Sequence, residues 1–283
     1  GESYRDLQRV MRLMFGDSIG LSTITRLTNR LYAQIQDLTM PKLTATYDIL
    51  WVDAIYFSVK QGNRVGGIKR VALAALGHNT RSNRDELLGY VISDSESESS
   101  YSYLLRDLLK RGLQWRNIQV IVHDGDCSIS AAIENIFGDK IPQQNCIFHK
   151  LKNVKDAIRH RDMKDIIMRN ASYIFDANTL NEYQKRLMAF VDVYRRKEPD
   201  VIRCLLNDRF IVTQYRLPEA LRIHLRTTNP IERKFREIRR RTNIIGCFEN
   251  SRSLEKILFF IIQFINQTAG VEPIYTPLAI THN

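Results

Sequence analysis

The sequence ILWVDAIYFSV occupies residues 49–59 and is almost continuously apolar. It is rich in aromatic and β-branched residues, and an apolar run of this length is typical of a strand buried on both faces. One acidic residue, Asp53, lies in the middle of it. We therefore predict that residues 49–59 form the central strand of a sheet.

The segments that follow predict the remainder of an α/β fold. Turn-forming residues separate two further apolar segments, at 68–76 and 86–92, which indicates a three-stranded meander. Beyond the meander the apolar spacing alternates between helix and strand. It predicts helices at 99–112 and 129–137 and strands at 118–122 and 144–148.

Changes in pattern divide the chain into five segments. Residues 1–46 show helical spacing, which fits either a DNA-reading helix-turn-helix or an ordinary helical hairpin. The strands fall within 47–148, whereas 149–221 carry only helical spacings and predict an all-α insertion. Two more helices, at 230–242 and 253–265, are expected within 222–268, and residues 269–283 form a tail.

Composition indicates a globular protein with a substantial core. The chain has 283 residues, of which 44% are hydrophobic and 26% charged, which argues against disordered, collagen-like and low-complexity classes. Neither a membrane-spanning run nor a secretory signal pattern is expected from the sequence. The 4 cysteines do not resemble a secreted disulfide framework, so we predict a cytoplasmic protein.

The charge balance predicts a polyanionic partner. Lysine and arginine number 42 against 31 acidic residues, a formal net charge of +11. An evenly basic surface would be unremarkable, but the excess is concentrated between residues 222 and 242. This stretch has two acidic residues, Glu232 and Glu237, and eight basic ones, Arg222, Arg226, Arg233, Lys234, Arg236, Arg239, Arg240 and Arg241.

Three carboxylates lie where a catalytic site of an α/β fold would need them. Asp53 interrupts the central strand, where an ionised carboxylate costs several kcal/mol unless a cation or a partner compensates it. Asp124 follows the strand at 118–122, at an edge where such folds place ligand groups. Glu232 opens the basic helix.

Each of the three carboxylates also has an ordinary structural interpretation. For Asp53 this is an ion pair with a nearby arginine, and for Asp124 it is an Asp-Gly turn. Glu232 stands at the third helical position after Asn229 and Pro230, where a capping-box carboxylate belongs.

Taken together, however, the three match a site for two Mg²⁺ ions, which prefer oxygen ligands. Two such ions can activate a water or a 3′-hydroxyl and stabilise the leaving oxygen in a displacement at phosphorus. The basic helix would then hold a DNA backbone beside the site.

The basic helix contains two glutamates, of which only one can face such a site. Five positions at about 100° each separate Glu232 from Glu237 by roughly 140° around the helix. Glu232 borders the side marked by Ile231, Phe235 and Ile238, which we predict to be buried. Glu237 lies among arginines and is expected to be an exposed ion-pair partner.

Cys146 and His149 form half of a familiar zinc spacing. No second Cys/His pair follows at short spacing. A buried cysteine with a hydrogen-bonded histidine is the simpler alternative.

In five stretches the sequence resembles the Mutator-type transposases of bacterial insertion sequences, which have a ribonuclease-H-like catalytic core. The stretches are residues 50–56, 97–113, 123–125, 144–150 with Asn153, and 227–242. The sequence departs from the family pattern at two points. Tyr101 and Tyr103 stand in a helix that often carries Trp, and Asn145 stands where Arg commonly precedes the cysteine.

The resemblance implies a ribonuclease-H-like mixed sheet with flanking helices and an all-α insertion, together with an N-terminal helical DNA-binding segment. It implies that Asp53, Asp124 and Glu232 are a metal-binding DDE triad for two Mg²⁺, with Mn²⁺ as a substitute, and that Cys146 and His149 are the family signature, His149 taking part in catalysis.

As to partners, we expect double-stranded DNA, both terminal inverted repeats and target, bound by a homodimer in the bacterial nucleoid, with no membrane. The expected contacts to DNA are made by the basic residues Lys150, Lys152, Arg226, Arg233, Lys234, Arg236, Arg239, Arg240 and Arg241.

The function predicted is therefore DNA cleavage followed by strand transfer. Two alternatives remain: a catalytically inactive, domesticated DNA-binding protein, and a nuclease of the ribonuclease H class that cleaves without strand transfer. The intact triad argues against the first, and the long insertion with the N-terminal helix pair argues against the second.

Overall fold

The computed structural model describes residues 40–62, 67–227 and 230–268, without the side chains of Arg226 and Thr227. The predicted N-terminal helix pair, Asn229 and the tail lie outside the described residues. The chain divides into two compact units. One comprises Leu43–Ile55 and Val71–Arg233, and the other comprises Tyr56–Arg70 with the residues up to Lys42 and from Lys234 onward.

A five-stranded mixed sheet forms the centre of the fold. Its strands are β1 (Ile49–Val59), β2 (Ile68–Asn79), β3 (Arg84–Ser93), β4 (Val120–His123) and β5 (Gln143–Asn145). They lie in the order β3-β2-β1-β4-β5, with β2 and β3 antiparallel and β1, β4 and β5 parallel. The predicted central position of residues 49–59 is confirmed.

Nine α-helices accompany the sheet within the described ranges. They are α1 (Glu98–Lys110), α2 (Cys127–Phe137), α3 (Ile147–Ala157), α4 (Lys164–Phe175), α5 (Leu180–Tyr194), α6 (Pro199–Leu206), α7 (Glu219–Thr227), α8 (Pro230–Thr242) and α9 (Ser251–Thr268). None of these helices is long and apolar enough to cross a membrane.

The larger unit contains two hydrophobic clusters. In the first, α1 and α2 bury leucines and isoleucines such as Leu104, Leu108 and Ile133 against Leu50 and Leu73 of the sheet. The second lies entirely among helices and includes Val154, Ile167, Ile174, Phe190 and Val201. The described residues from 147 to 227 contain no strand, in agreement with the helical spacing. The predicted domain boundaries themselves stay predictions.

Local hydrogen bonds explain where the elements depart from their predicted ends. The strand predicted at 144–148 stops at Asn145, because Cys146 occupies the N-cap position of α3 and Ile147 is already helical. Helix α2 begins two residues earlier than expected, since the Asp126 side chain accepts a hydrogen bond from the backbone N–H of Ser128.

In the smaller unit, the end of β1 is held by residues that follow α8. The backbone N–H of Phe248 donates to Ser58, and that of Lys60 donates to Phe248. The Phe57 and Phe248 rings pack edge to face at 5.8 Å between centroids. Helix α9 buries an apolar face that includes Leu254, Leu258 and Ile262.

Candidate active site

Strand register brings three of the predicted site residues into one row. Trp51 of β1 pairs with Val122 of β4, and His123 of β4 pairs with Asn145 of β5. Continuing these parallel registers to the strand ends sets Asp53 beside Asp124, and Asp124 beside Cys146. Asp53 lies within β1, whereas Asp124 and Cys146 directly follow β4 and β5, so the three residues lie side by side across the sheet.

These residues line a small crevice in the larger unit. Its walls come from β1, from the end of β4, from the start of α3 and from the first turn of α8. The lining residues are Trp51, Val52, Asp53, Val122, His123, Asp124, Cys146, His149 and Ile231.

Asp53 is buried and has no arginine or lysine partner among the described residues. It is only 9% exposed, and its Oδ1 accepts a hydrogen bond of 2.8 Å from the backbone N–H of Ala54. Its Oδ2 is buried and has no hydrogen-bond partner in the described part of the chain. The nearest basic atom is Nε2 of His149, at 4.0 Å. Among the described residues no arginine or lysine pairs with Asp53, so the arginine-partner interpretation finds no support.

The environment of Asp53 opposes its ionisation. Burial raises its pKa to about 8, and the negative charges of Asp124, Glu232 and Glu96 add to that increase, while the Ala54 N–H opposes it. Without a cation, this carboxyl group therefore holds its proton near neutral pH.

A divalent cation would compensate both the repulsion and the unpartnered Oδ2, and the oxygen donors present are those that Mg²⁺ prefers. As the side chains stand, no group of three His, Cys, Asp or Glu residues within the described ranges is close enough to hold a metal ion.

Asp124 lies in a turn that fixes its backbone. Its Oδ1 accepts a 3.0 Å hydrogen bond from the N–H of Asp126, and Gly125 adopts a φ of 96°, which favours glycine. The side chain of Asn145 lies 3.1 Å from the position that a Cβ at residue 125 would take. The Asp-Gly turn proposed as the structural interpretation is therefore present, and it orients Asp124 at the crevice as well.

Glu232 lies in the first turn of α8, next to the crevice residue Ile231. Ile231, Phe235 and Ile238 are all buried, which confirms the predicted inner side of this helix. The negative charge of Glu232 contributes to the raised pKa of Asp53 and opposes the lowering of the pKa of His149 by burial. Since Asn229 lies outside the described residues, the capping-box interpretation stays open.

Glu237 is an ion-pair partner, as predicted. Its carboxylate accepts hydrogen bonds from Arg240, at 2.9 Å, and from Arg241. These two guanidinium groups lower the pKa of Glu237 to about 2.

Cys146 and His149 lie side by side at the start of α3 without the features of a zinc site. Burial raises the pKa of the Cys146 thiol to about 12, which disfavours the thiolate that binds zinc. Burial also lowers the pKa of His149, against the opposing charges of Asp124 and Glu232. Cys146 is buried, as the simpler alternative expects, but Nδ1 of His149 is buried without a hydrogen-bond partner among the described residues.

The basic residues expected to bind DNA differ in their surroundings. Arg240 is 71% exposed and Arg233 is 52% exposed, the latter 3.8 Å from Asp85. Arg241 stacks on Phe264. Arg236 and Lys152 are exposed, Lys234 and Arg239 are half-buried, and the side chain of Arg226 lies outside the described residues.

Lys150 points into the protein. Its ammonium group is 2.6 Å from Asp208, whose side chain is 2% exposed, and it donates to the carbonyl of Cys204. The Lys150 side chain itself is only 12% exposed, so it has a structural partner and its contact with DNA stays a prediction without support.

Two functional features were missed in the sequence. Asp208 receives hydrogen bonds from Asn145 as well as Lys150, and thereby ties the start of α3 to the segment after α6. Glu96 joins the electrostatic surroundings of Asp53. The sequence contains one signal for each of them. For Asp208 the signal is the polar pair Gln144-Asn145 in a buried strand, and for Glu96 it is the acidic turn at 94–98.

Comparisons with known proteins identify the family to which the chain belongs. Residues 1–268 match the family described as Transposase, Mutator family. The transposase for insertion sequence element IS6120 of Mycolicibacterium smegmatis is 31% identical over 248 residues, which is 86% of this chain and 74% of that protein.

Two further relatives are more distant. The transposase for insertion sequence element IS905 of Lactococcus lactis is 25% identical over 269 residues, 94% of this chain and 66% of that protein. The transposase for IS256 in transposon Tn4001 of Staphylococcus aureus is 26% identical over 262 residues, 91% of this chain and 65% of that protein. The chain thus spans about two thirds of the length of these two.

Proposed function

Since this chain belongs to the Mutator family of transposases, we propose that it is a metal-dependent DDE transposase that cleaves DNA at the ends of its element and transfers the exposed strand. One observation carries the mechanistic part of this proposal. Oδ2 of Asp53 is buried, has no hydrogen-bond partner among the described residues and lies in a crevice with Asp124. An acidic group in that position is stabilised by a bound cation.

Asp53, Asp124 and Glu232 are the residues that would hold two Mg²⁺ ions, or Mn²⁺ in their place. Bound there, the ions supply an activated water or 3′-hydroxyl and stabilise the leaving oxygen at phosphorus. The protein contributes position: β1 and β4 fix two of the carboxylates through their register, and the buried side of α8 holds the third next to the crevice.

His149 is proposed to act in catalysis as a neutral imidazole. Its Nε2 lies 4.0 Å from Oδ2 of Asp53, and its lowered pKa keeps it uncharged near neutral pH. A neutral imidazole can accept a proton at one nitrogen while donating from the other. Cys146 is a buried neighbour of His149 and occupies the N-cap position of the same helix.

DNA is proposed to lie along the exposed basic side of α8, with Arg233, Arg236 and Arg240 contacting phosphates. The formal net charge of +11 supports this placement, because phosphate contacts account for most non-specific affinity for DNA. The same proposal includes three further points. The sheet is ribonuclease-H-like, the protein binds the terminal inverted repeats as a homodimer, and it is located in the nucleoid.

A strand-transfer assay tests the proposal. The protein is incubated with Mg²⁺ and a labelled DNA that carries the end of its own element, together with a target plasmid. We expect both nicked ends and joined products, and neither with Asp53→Asn or in excess chelator. Nicked ends alone would support the nuclease, and DNA binding without either product would support the inactive DNA-binding protein.

A further inference from the structure

A second polar cluster of the larger unit is formed by side chains of β2, β3 and α7. His78 of β2 and Asp85 of β3 are direct partners in the strand register, and Nδ1 of His78 is 2.7 Å from Oδ1 of Asp85. A carboxylate only accepts hydrogen bonds, so Nδ1 of His78 carries the proton that joins the two residues. Neither residue lines the crevice described above.

The ring of His78 is held by packing against two other rings. It is only 4% exposed and packs edge to face with Trp51, a residue of the crevice wall, at 5.8 Å between ring centroids. The ring of His224 in α7 lies 4.4 Å away. Nε2 of His78 is buried and has no hydrogen-bond partner in the described part of the chain. The orientation of His78 therefore depends on these rings and on Asp85.

The second carboxyl oxygen of Asp85 faces the first turn of α8. Nη2 of Arg233 lies 3.8 Å from Oδ2 of Asp85. The Asp85 side chain is 22% exposed and that of Arg233 is 52% exposed, so the pair is partly accessible to solvent. Because Oδ1 is bound to the buried His78, the carboxylate presents Oδ2 to the helix in a fixed direction.

Arg233 directly follows Glu232 in the first turn of α8. A contact that limits the movement of Arg233 therefore also limits the movement of the backbone that carries Glu232. Ile231 attaches the same turn through its buried side chain, and Asp85 attaches it through an accessible one. Two attachments through different side chains restrict the rotation of one helical turn more than either does alone.

The contact with Asp85 is suited to affect catalysis more than folding. An ion pair as accessible as this one contributes little to stability. Catalysis is more sensitive, because misplacing a group by about 1 Å can lower a rate by about 10²-fold.

We propose that Asp85, oriented by His78, is a positioning residue that fixes the first turn of α8 through Arg233 and thereby sets the direction of Glu232. This inference rests on the function proposed above, in which Glu232 is a metal ligand. It is compatible with a phosphate contact of Arg233, since a guanidinium group has several N–H donors and can contact a carboxylate and a phosphate together.

The experiment compares single-turnover cleavage by the full chain of a labelled DNA that carries the end of its element, at saturating DNA and Mg²⁺. Asp85→Asn keeps an oxygen that can accept from His78 but removes the charge that faces Arg233. We expect the cleavage rate to fall about tenfold and the Tm to change little. DNA affinity should be at least that of the wild type, because a negative charge beside Arg233 is gone. Partial unfolding would instead lower both the rate and the affinity.

Asp200→Asn is the matched control. It makes the same change in charge at a carboxylate of α6 that also pairs with arginines, Arg159 and Arg203, and that is 33% exposed. We expect the cleavage rate and the DNA affinity of this variant to equal those of the wild type. A tenfold loss of rate in Asp200→Asn as well would overturn the specific role of Asp85.

A double-mutant cycle tests whether Asp85 acts through Arg233. Arg233→Gln should lower the rate at saturating DNA about as much as Asp85→Asn does, and the double variant should be no slower than either single one, because both remove the same contact. Losses that multiply would show that Asp85 does not act through Arg233 and would refute the proposal.

The outcomes separate this inference from the proposed function. If the wild type cleaves and Asp53→Asn does not, but Asp85→Asn cleaves at the wild-type rate, the positioning role is wrong and the proposed function stands. If the wild type does not cleave at all, both are wrong. Should Asp85→Asn fold poorly, Arg233→Gln decides alone, since its side chain is exposed, and an unchanged rate at saturating DNA would contradict the positioning role.

Discussion

At the scale of single residues, the chemistry depends on Asp53. Asp53 lies in the buried strand β1 because the sequence around it is apolar. Burial is unfavourable for its carboxyl group when that group is ionised. The protein leaves one carboxyl oxygen without a hydrogen bond in the described residues and surrounds it with further acids. Asp53 therefore lowers the stability of the metal-free protein, but it provides a carboxylate for the proposed metal site.

We therefore expect Asp53→Asn to stabilise the metal-free protein while abolishing activity. The pKa of Asp53 rises to about 8 in the folded state, so folding requires this group to keep a proton that the unfolded chain has lost. The destabilisation of the folded state by Asp53 is absent below the ordinary pKa of an aspartate, grows as pH rises and is complete above pH 8.

The difference in unfolding free energy between the variant and the wild type should therefore grow by about 2–4 kcal/mol between pH 5 and 8. Denaturant unfolding at several pH values in chelator measures it. A difference that is independent of pH would contradict the assignment.

The two glutamates of α8 should respond differently to loss of charge. Glu232→Gln is expected to eliminate cleavage and strand transfer with little change in Tm, because the residue is proposed as a metal ligand. Glu237→Gln should retain most activity, because Glu237 pairs with Arg240 and Arg241 on the accessible side. If Glu232→Gln unfolds the protein while Glu232→Asp stays active, the capping interpretation is correct instead.

At the scale of elements, the two helices that contribute residues to the site, α3 and α8, differ in the contacts at their starts. The start of α3 is fixed by charge, through Lys150, Asn145 and Asp208. The start of α8 instead buries the apolar side chains of Ile231 and Phe235, while Arg236 and Arg240 on the same helix are exposed.

Asp208→Asn should therefore be strongly destabilising. It leaves the largely buried ammonium of Lys150 without a counter-charge, and breaking a buried ion pair costs about 3–5 kcal/mol. The control is Glu134→Gln, which removes the exposed pair with Arg209 at 3.3 Å and should change the unfolding free energy by less than about 1 kcal/mol. Equal losses in urea unfolding would show that the buried pair has no special role.

The basic side of α8 should govern how DNA affinity depends on salt. Replacing Arg236 and Arg240 with Gln is expected to weaken binding to any sequence and to reduce the slope of log K against log salt by roughly two units. Arg159→Gln with Arg203→Gln makes the same change in net charge at residues paired with Asp200. An unchanged slope in the α8 variant, or an equal change in the control, would refute this DNA-binding surface.

At the scale of the whole molecule, the metal content distinguishes a carboxylate site from a zinc site. The raised pKa of the Cys146 thiol disfavours the thiolate that would bind zinc. We expect purified protein to contain well under one zinc per chain by elemental analysis, and His149→Ala to impair catalysis more than folding. Stoichiometric zinc that is lost in Cys146→Ser would overturn this assignment.

The sequence by itself determined the features that depend on neighbours along the chain. The apolar run at 49–59 specified a central strand, and the spacing of Ile231, Phe235 and Ile238 specified the buried side of α8. That spacing also separated Glu232 from Glu237 around the helix. Periodicity and capping are local, so these assignments could be made before any tertiary contact was known.

Only the tertiary structure decided which residues meet across the chain. Lys150 was expected to bind DNA but pairs with Asp208, 58 positions away, because the segment after α6 returns to the start of α3. Asn145 likewise donates a hydrogen bond to Asp208, 63 positions away. Spacing along a sequence contains no distance between segments that approach each other only after the core has packed, so neither contact could be predicted from the sequence.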